Sequence, residues 1–523
     1  MNIQESKDRD IIENSEFKQV AEQLKPQLNT KLQQPKHYIT TYEDSQAIHG
    51  WNAKKIATWQ EMKHKAYGKN ESFIVDFNDH MAGFLRLNIN PVGSPPDAPL
   101  HIKLTFGETL VEVSEPFYNY EGWLSSSWLQ EEVFYVDVMP ATITLPRRYS
   151  FRYLKVSVLD TSPKYSVSFD AISCKTVTSA DINKIPQVEI ADEKMQQIDK
   201  VSIKTLIDCM HDVFEDGPKR DRRLWLGDLR LQALANYQTV QNNDLVKRCL
   251  YLFAAVPNQN GEIAANLFLE PTLIPDDTYL FDYSLFFSTT LFDYYEATKD
   301  KQTLKDLWPS ALRQVENALS RLSKENIVMD DSSWWSFIDW HEELNKQASS
   351  QAVLIYTLKK TAKIAKILEE EETFSWIDKQ INIIAKATIE YLWDEQVGFF
   401  ISGEKRQISW ASQIWMVIAG VFDKERNKKL LQRLLKENPK VGINTPYMYH
   451  HLVDALLISE EKEIAIQYLE NYWGKMVDLG ADTFWELFNP DNPTFSPYGS
   501  HLINSYCHAW SCTPTYFIRK YKL

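Results

Sequence analysis

The chain has 523 residues, too many for one ordinary domain, and its 44% hydrophobic and 24% charged residues are the balance of a globular protein. A net charge of −14, from 57 Lys and Arg against 71 Asp and Glu, argues against nucleic acid as a partner, because phosphate binding needs a basic face. No apolar run reaches the length of a membrane span, and the N-terminal stretch MNIQESKDRDIIENSEF has no apolar core and no cleavage-like site.

Residues 1–50 are polar and weakly patterned, and read as a partly ordered arm. From Trp51 to about residue 190 the period is two. SFIVDFND, GFLRLNIN, HIKLTFGETLVEV, EEVFYVDVM, SFRYLKVSVLD and YSVSFDAISC alternate apolar and polar residues, with turn residues between them. Strands at this spacing predict an antiparallel β-sandwich of jelly-roll type.

From residue 191 to 523 the period becomes helical. DEKMQQIDKVSIKTLIDCMHDVF opens the series, and similar runs recur near 228–255, 278–298, 302–323, 348–369, 373–393, 408–421, 424–437, 445–457, 459–472 and 499–520. No strict short repeat is visible, which argues against a regular solenoid. Six inner and six outer helices in a closed double ring, an (α/α)6 barrel, would account for the number. Its long loops would gather at one end and line a pocket.

The five cysteines (Cys174, Cys209, Cys249, Cys507, Cys512) form no CxxC pair, so neither a disulfide framework nor a metal centre is expected, and a reducing cytoplasm fits best. No cofactor is expected, since no HExxH, P-loop or GxSxG occurs. Aromatics reach 13%, and many of the 16 Trp lie in polar, loop-like contexts. Aromatic faces stack on the C–H faces of sugars, so composition leans toward a carbohydrate ligand.

The segment EDGPKRDRRLWLGDLR, residues 215–230, crowds Asp216, Asp221 and Asp228 among Lys219, Arg220, Arg222, Arg223 and Arg230. A solvated loop with surface ion pairs is the plain reading. The chemical one is glycosidic cleavage. That reaction needs one protonated carboxyl to give its proton to the leaving oxygen and one ionised carboxyl to activate water or attack. Cations and burial are what separate two such pKa values. Asp228 also suits the start of a helix, as a capping or first-turn carboxylate.

DGPKRDRRLWLGD resembles the signature of the α-L-rhamnosidases of glycoside hydrolase family 78, which carry Asp-x-Pro-x-Arg, an acidic residue and Trp-x-Gly-Asp. GADTFWE (480–486), SYCHAWSCTPTYFI (505–518) and WSFIDW (335–340) resemble further segments of that family, as do the strands VDFND, GFLRLNI and LPRRYSFRYLKVSV. The resemblance runs from about residue 50 to the C-terminus. It implies a six-hairpin barrel and an inverting mechanism, with a general acid in the charged loop and a late glutamate as general base.

Carried over by position, the base falls on Glu486. Many members hold the acid as Glu in Arg-Asp-Glu-Arg. Counting forward from Asp216 places Arg222 there, whereas counting back from Asp228 places Asp221 there. The Trp-x-Gly-Asp end anchors the helix start, so Asp221 is taken as the acid. Asp216, Asp228, Arg220, Trp225 and His508 would then contact the sugar.

Trp334, Trp335 and Trp340 flank Asp339 in a stretch rich in acids, and read as core or as a pocket wall for a sugar whose hydroxyls Asp339 bonds. Trp485 is either core or a stacking platform. Asp282 is a further candidate for sugar binding, while Asp276 and Asp277 suit helix capping. The expected activity is α-L-rhamnosidase acting on small glycosides or oligosaccharides, with no membrane partner. Rival readings are a related six-hairpin glycosidase acting on another sugar or an unsaturated uronide, and a glycan-binding protein without catalysis. The sheet domain is left three roles: joining subunits into a homo-oligomer, binding glycan, or bracing the barrel.

Overall fold

The computed structural model describes residues 11–330 and 334–523. Ten strands form an antiparallel sheet domain: β1 (Asn29–Gln33), β2 (His37–Glu43), β3 (Trp51–Thr58), β4 (Ala66–Tyr67), β5 (Glu71–Gly93), β6 (Leu100–Gly107), β7 (Glu131–Val136), β8 (Ala141–Thr144), β9 (Tyr149–Asp160) and β10 (Tyr165–Thr178). The order is β1-β10-β5-β9-β6-β7, with the four remaining strands attached at its sides. The first half of β5 pairs with β2 and β9, and its second half with β10 and β8. Between them the register with β9 slips from Asp76 to Met81, an irregularity of the kind that bends a strand. Val75 and Phe77 from one half and Leu85, Leu87 and Ile89 from the other meet Leu104, Phe106, Phe151 and Phe169 in one apolar core.

The segment read as a polar arm is structured. Helix α1 (Ser15–Gln23) lies on the helical domain, where Phe17 meets Tyr251 edge-on at 5.4 Å. β1 and β2 belong to the sheet. Every residue of β1 is exposed or half-buried, so it shows no apolar alternation to read. Two short helices, α2 (Trp59–Met62) and α3 (Leu110–Ser114), interrupt the strands.

The helical domain contains α4 (Glu193–Asp208), α5 (Leu226–Gln238), α6 (Asn243–Ala254), α7 (Phe281–Thr298), α8 (Lys301–Leu319), α9 (Gln347–Leu368), α10 (Glu371–Leu392), α11 (Trp410–Ala419), α12 (Lys424–Glu437), α13 (Pro446–Ile458), α14 (Lys462–Tyr468), α15 (Lys475–Asp478) and α16 (Pro514–Tyr521). Two kinds of helix alternate. α11, WASQIWMVIA, is buried at all ten positions, whereas α12 buries only Asn427, Leu430, Leu431 and Leu434. A helix apolar on every side must be enclosed, and one with a single apolar stripe lies outside. The enclosed helices α5, α7, α9, α11 and α13 pack each on the next, and α16 returns to α4 and α5.

The run 499–520 departs from its helical expectation. Only Pro514–Tyr521 is α-helix; before it come two single 3-10 turns and extended backbone. The carbonyls of Leu502, Ile503 and Asn504 accept from Lys219 and Arg220, a use that a helix interior would deny them.

Candidate active site

Three segments remote in sequence are laced together by backbone bonds. Glu486 N donates to Ser505 O at 2.9 Å, and His508 N to Phe484 O at 2.9 Å. Ala509 N donates to Asp216 O at 2.7 Å. This lacing brings the charged loop, the Trp-Glu segment and the Cys-His segment to one cavity of about 240 Å³. Of the residues singled out in the sequence, Asp216, Arg220, Asp221, Trp225, Asp228, Trp335, Trp340, Glu486 and His508 line it.

The loop's charges separate into two sets. One set fastens the loop to the sheet domain. The Lys219 ammonium is fully buried and donates to Glu112 Oε1 at 2.6 Å, while Arg148 donates to Glu215 at 2.5 Å. Glu112 also closes the capping box of α3 through its other oxygen, so its position is held independently of the loop. The other set faces the cavity. Arg220 ion-pairs with Glu486 Oε2 and lies 3.5 Å from Asp221 Oδ1. Its guanidinium also lies over the ring of Tyr498, 4.5 Å from the centroid.

Asp221 and Arg222 have φ of +63° and +54°, a left-handed pair that costs a non-glycine backbone energy. The turn separates the two side chains. Asp221 stays beside Arg220 with 23% of its side chain exposed. Arg222 is absent from the cavity lining; its charge is disfavoured by burial and by the neighbouring Arg148, which bring its pKa down to about 10.

Burial alone would raise the pKa of Glu486. Arg220, His508 and the Tyr498 hydroxyl, which donates to Oε1 at 2.5 Å, overcome burial and bring it to about 2. Glu486 is thus ionised at any ordinary pH. Burial pushes Asp216 and Asp228 the other way, well above the usual carboxylate range, with added repulsion from Asp221, and from Glu486 in the case of Asp228. Asp228 lies inside the first turn of α5, but the N-cap is Trp225 and Asp228 Oδ1 has no hydrogen-bond partner, so its side chain does not cap the helix. Burial lowers His508 to about 4, leaving it neutral near pH 7.

Four expected site residues lie elsewhere. Asp282 accepts from the backbone N–H of Tyr283, Phe337 and Ile338, each at 3.0 Å, and so anchors the 335–340 loop. Asp339 accepts from Asn444 N, Thr445 N and Thr445 Oγ1 at 2.6–3.1 Å, and ties the same loop to the start of α13. Trp334 packs edge-on against Phe281 beneath Arg321. Trp485 points away from its neighbour Glu486, into a separate cavity of about 440 Å³ beside Trp51, Arg152 and Tyr153. Trp485 packs against Phe488 and Tyr506, so it belongs to the core rather than to the pocket of Glu486.

The cavity also has walls that the sequence reading did not name: Thr278, Leu280, Tyr283, Phe337, Tyr498 and Trp510. Trp510 lay within a quoted motif, and its Nε1 donates to Glu486 O at 2.9 Å. Tyr498 follows a Pro-rich loop with no periodicity to flag it. Elsewhere, ligand-type atoms of His80, Asp208 and Cys507 lie within 4.8 Å of one another. The Lys204 ammonium already sits on Asp208, and His80 bonds Asp208, Glu108 and Ser150. That arrangement is an interdomain hydrogen-bond network with its own cation.

Comparison with known proteins accords with this geometry. The glycosyl hydrolase family 78 alpha-rhamnosidase N-terminal domain matches residues 35–176, and the bacterial alpha-L-rhamnosidase six-hairpin glycosidase domain matches residues 183–521. A rhamnosidase from Klebsiella oxytoca, solved with rhamnose bound, is 48% identical with a TM-score of 0.96, over 98% of this chain and 100% of that one. The family 78 rhamnosidase of Bacillus sp. GL1 shares the fold at 20% identity and a TM-score of 0.73, over 89% of this chain and 49% of that one. An alpha-L-rhamnosidase of Formosa agariphila is 27% identical over 176 residues, which span 32% of this chain but only 17% of that curated relative. The chain belongs to the bacterial alpha-L-rhamnosidases of glycoside hydrolase family 78.

Proposed function

We propose that the protein is an α-L-rhamnosidase that releases terminal rhamnose from small glycosides with inversion at the anomeric carbon. The observation that carries this reading is the Arg220 guanidinium, which touches both Glu486 and Asp221 at the wall of one cavity. A single guanidinium in contact with both carboxyls brings the two groups to one wall of the cavity, as a glycosidase needs, and inverting enzymes hold such a pair about 6.5–9.5 Å apart.

Glu486, kept ionised, takes a proton from the attacking water as its oxygen bonds to the anomeric carbon. Asp221 gives a proton to the glycosidic oxygen as the C–O bond breaks on the opposite face. Of the three loop aspartates it is the one partly open to solvent, as a group that meets the leaving oxygen should be. Asp216, Asp228 and His508 are placed to bond sugar hydroxyls. Leu280, Phe337 and Trp510 supply an apolar wall that suits the methyl group of a 6-deoxy sugar. A uronide is the weaker fit. Arg220 is the only cation among the described residues lining the cavity, and two carboxylates already occupy it. The ring of mutually packed enclosed helices supports an (α/α)6 barrel, and the bent β5 with its two sets of partners supports a jelly-roll sandwich. Five buried free thiols suit a reducing cytoplasm.

The test is release of nitrophenol from a panel of nitrophenyl glycosides, with the anomer of the first product read by NMR. The α-L-rhamnoside should be cleaved to the inverted sugar. Asp221→Asn and Glu486→Gln should each lower kcat by about 10²–10⁴-fold. No turnover on any glycoside, or a retained anomer, defeats this reading.

A further inference from the structure

The cavity has room for one sugar ring and little more, so whatever is attached to that sugar must lie outside its mouth. Between α3 and β7 the sheet domain sends out an excursion, PFYNYEGWLSSSW (116–128), that leaves the sheet altogether. It docks on the helical domain's 497–499 turn. Trp123 N donates to Tyr498 O at 3.1 Å, Trp123 Nε1 donates to Pro497 O at 2.9 Å, and Gly122 lies against Gly499. The Trp123 ring sits 5.7 Å from that of Tyr498, the residue whose hydroxyl holds Glu486.

These contacts place an aromatic platform against Tyr498, a cavity wall whose ring carries the Arg220 guanidinium shared by Glu486 and Asp221. The indole nitrogen of Trp123 is satisfied and its backbone is pinned, yet 62% of the residue is exposed. An indole held this way loses little further freedom on binding, which is the condition for an effective stacking surface. Trp335, 42% exposed, lies on the cavity wall itself, whereas Trp123 lies one ring outside it, against Tyr498. We infer that Trp123, carried by the sheet domain, is the stacking platform for the leaving group and makes the enzyme favour aromatic over small alkyl aglycones. The inference rests on the glycosidase reading and adds to it the chemical class of the leaving group. It also gives the sheet domain a part in substrate choice besides bracing.

The test compares kcat/KM on 4-nitrophenyl and methyl α-L-rhamnoside for the full chain and its variants. Taking the ratio of the two substrates, variant against wild type, cancels the leaving-group chemistry. Trp123→Ala should lower the aryl-to-methyl ratio by about 3- to 10-fold, the range of one aromatic stacking contact, mainly through KM. Trp123→Phe should recover most of it. Tyr135→Ala, which removes an exposed aromatic from edge strand β7, should leave the ratio unmoved. An equal fall on both substrates, or an unchanged ratio with Trp123→Ala, overturns the platform. Should the wild type cleave no rhamnoside, the glycosidase reading fails by itself, and saturation-transfer NMR with 4-nitrophenol alone then judges the platform. Transfer that is lost with Trp123→Ala supports it, and transfer that persists overturns it.

Discussion

Asp282 and Asp339 are buried as deeply as Asp216 and Asp228, within the same aromatic neighbourhood. The first pair accepts three hydrogen bonds each, nearly all from backbone N–H groups, and joins loops to helix starts. The second pair is poorly supplied. Asp216 Oδ1 accepts from Arg223 N, and Asp228 Oδ1 accepts from nothing. Burial without partners is costly, and a protein retains it where a substrate supplies the missing bonds. The difference sets the two pairs apart: Asp282 and Asp339 hold loops together, whereas Asp216 and Asp228 line the cavity short of partners.

The largest effect that sharpens this contrast is expected from Asp339→Ala. It leaves two backbone N–H groups and the Thr445 hydroxyl without an acceptor, at a cost of about 1–3 kcal/mol for each buried group. Urea denaturation should show several kcal/mol of lost stability, with the remaining folded fraction still active. Unchanged stability would place Asp339 with Asp216 and Asp228 and erase the distinction.

Parts of this contrast could be read in the sequence, and parts could not. The charged loop was legible because it breaks helical periodicity abruptly, and Glu486 because it sits in a motif. That Lys219 belongs to Glu112 was not, since 107 residues separate them and neither position shows a pattern. Trp485 precedes Glu486 yet lines a different cavity, which adjacency in the sequence does not reveal. Tyr498 and Trp123 lie in irregular loops from different domains, where neither period nor capping marks a residue. The β1 and β2 strands escaped notice because they bury little. Local chemistry was therefore readable from residue types, and long-range pairing was not.

A second, smaller effect tests how Glu486 is kept ionised. Tyr498→Phe keeps the ring against Arg220 and Trp123 but removes the hydroxyl donor. That donor is one of the groups bringing Glu486 to about 2, so its loss raises the Glu486 pKa, and the acid limb of kcat/KM should move to higher pH. A hydrogen bond to a charged group is worth about 1.5–3 kcal/mol, so kcat/KM should fall by roughly 10-fold or more. A merely structural tyrosine would lower the rate without moving the limb.

The smallest effect has the opposite sign for stability. Glu486 has a folded pKa below its unfolded value, so it contributes stability above about pH 4.5 that is lost as pH falls toward about 2. Asp228 has a folded pKa well above its unfolded value, so it costs stability once pH rises past the unfolded carboxylate range of about 3.9. Asp228→Asn removes that cost while keeping the shape, and its amide can donate to the unpartnered His508 Nδ1, which lies 3.6 Å from Asp228 Oδ1. Tm at pH 7 should rise by roughly 1–2 °C, with no gain near pH 3, while activity falls. A protein that is both less stable and less active after this change would show that Asp228, like Asp339, is held by partners of its own.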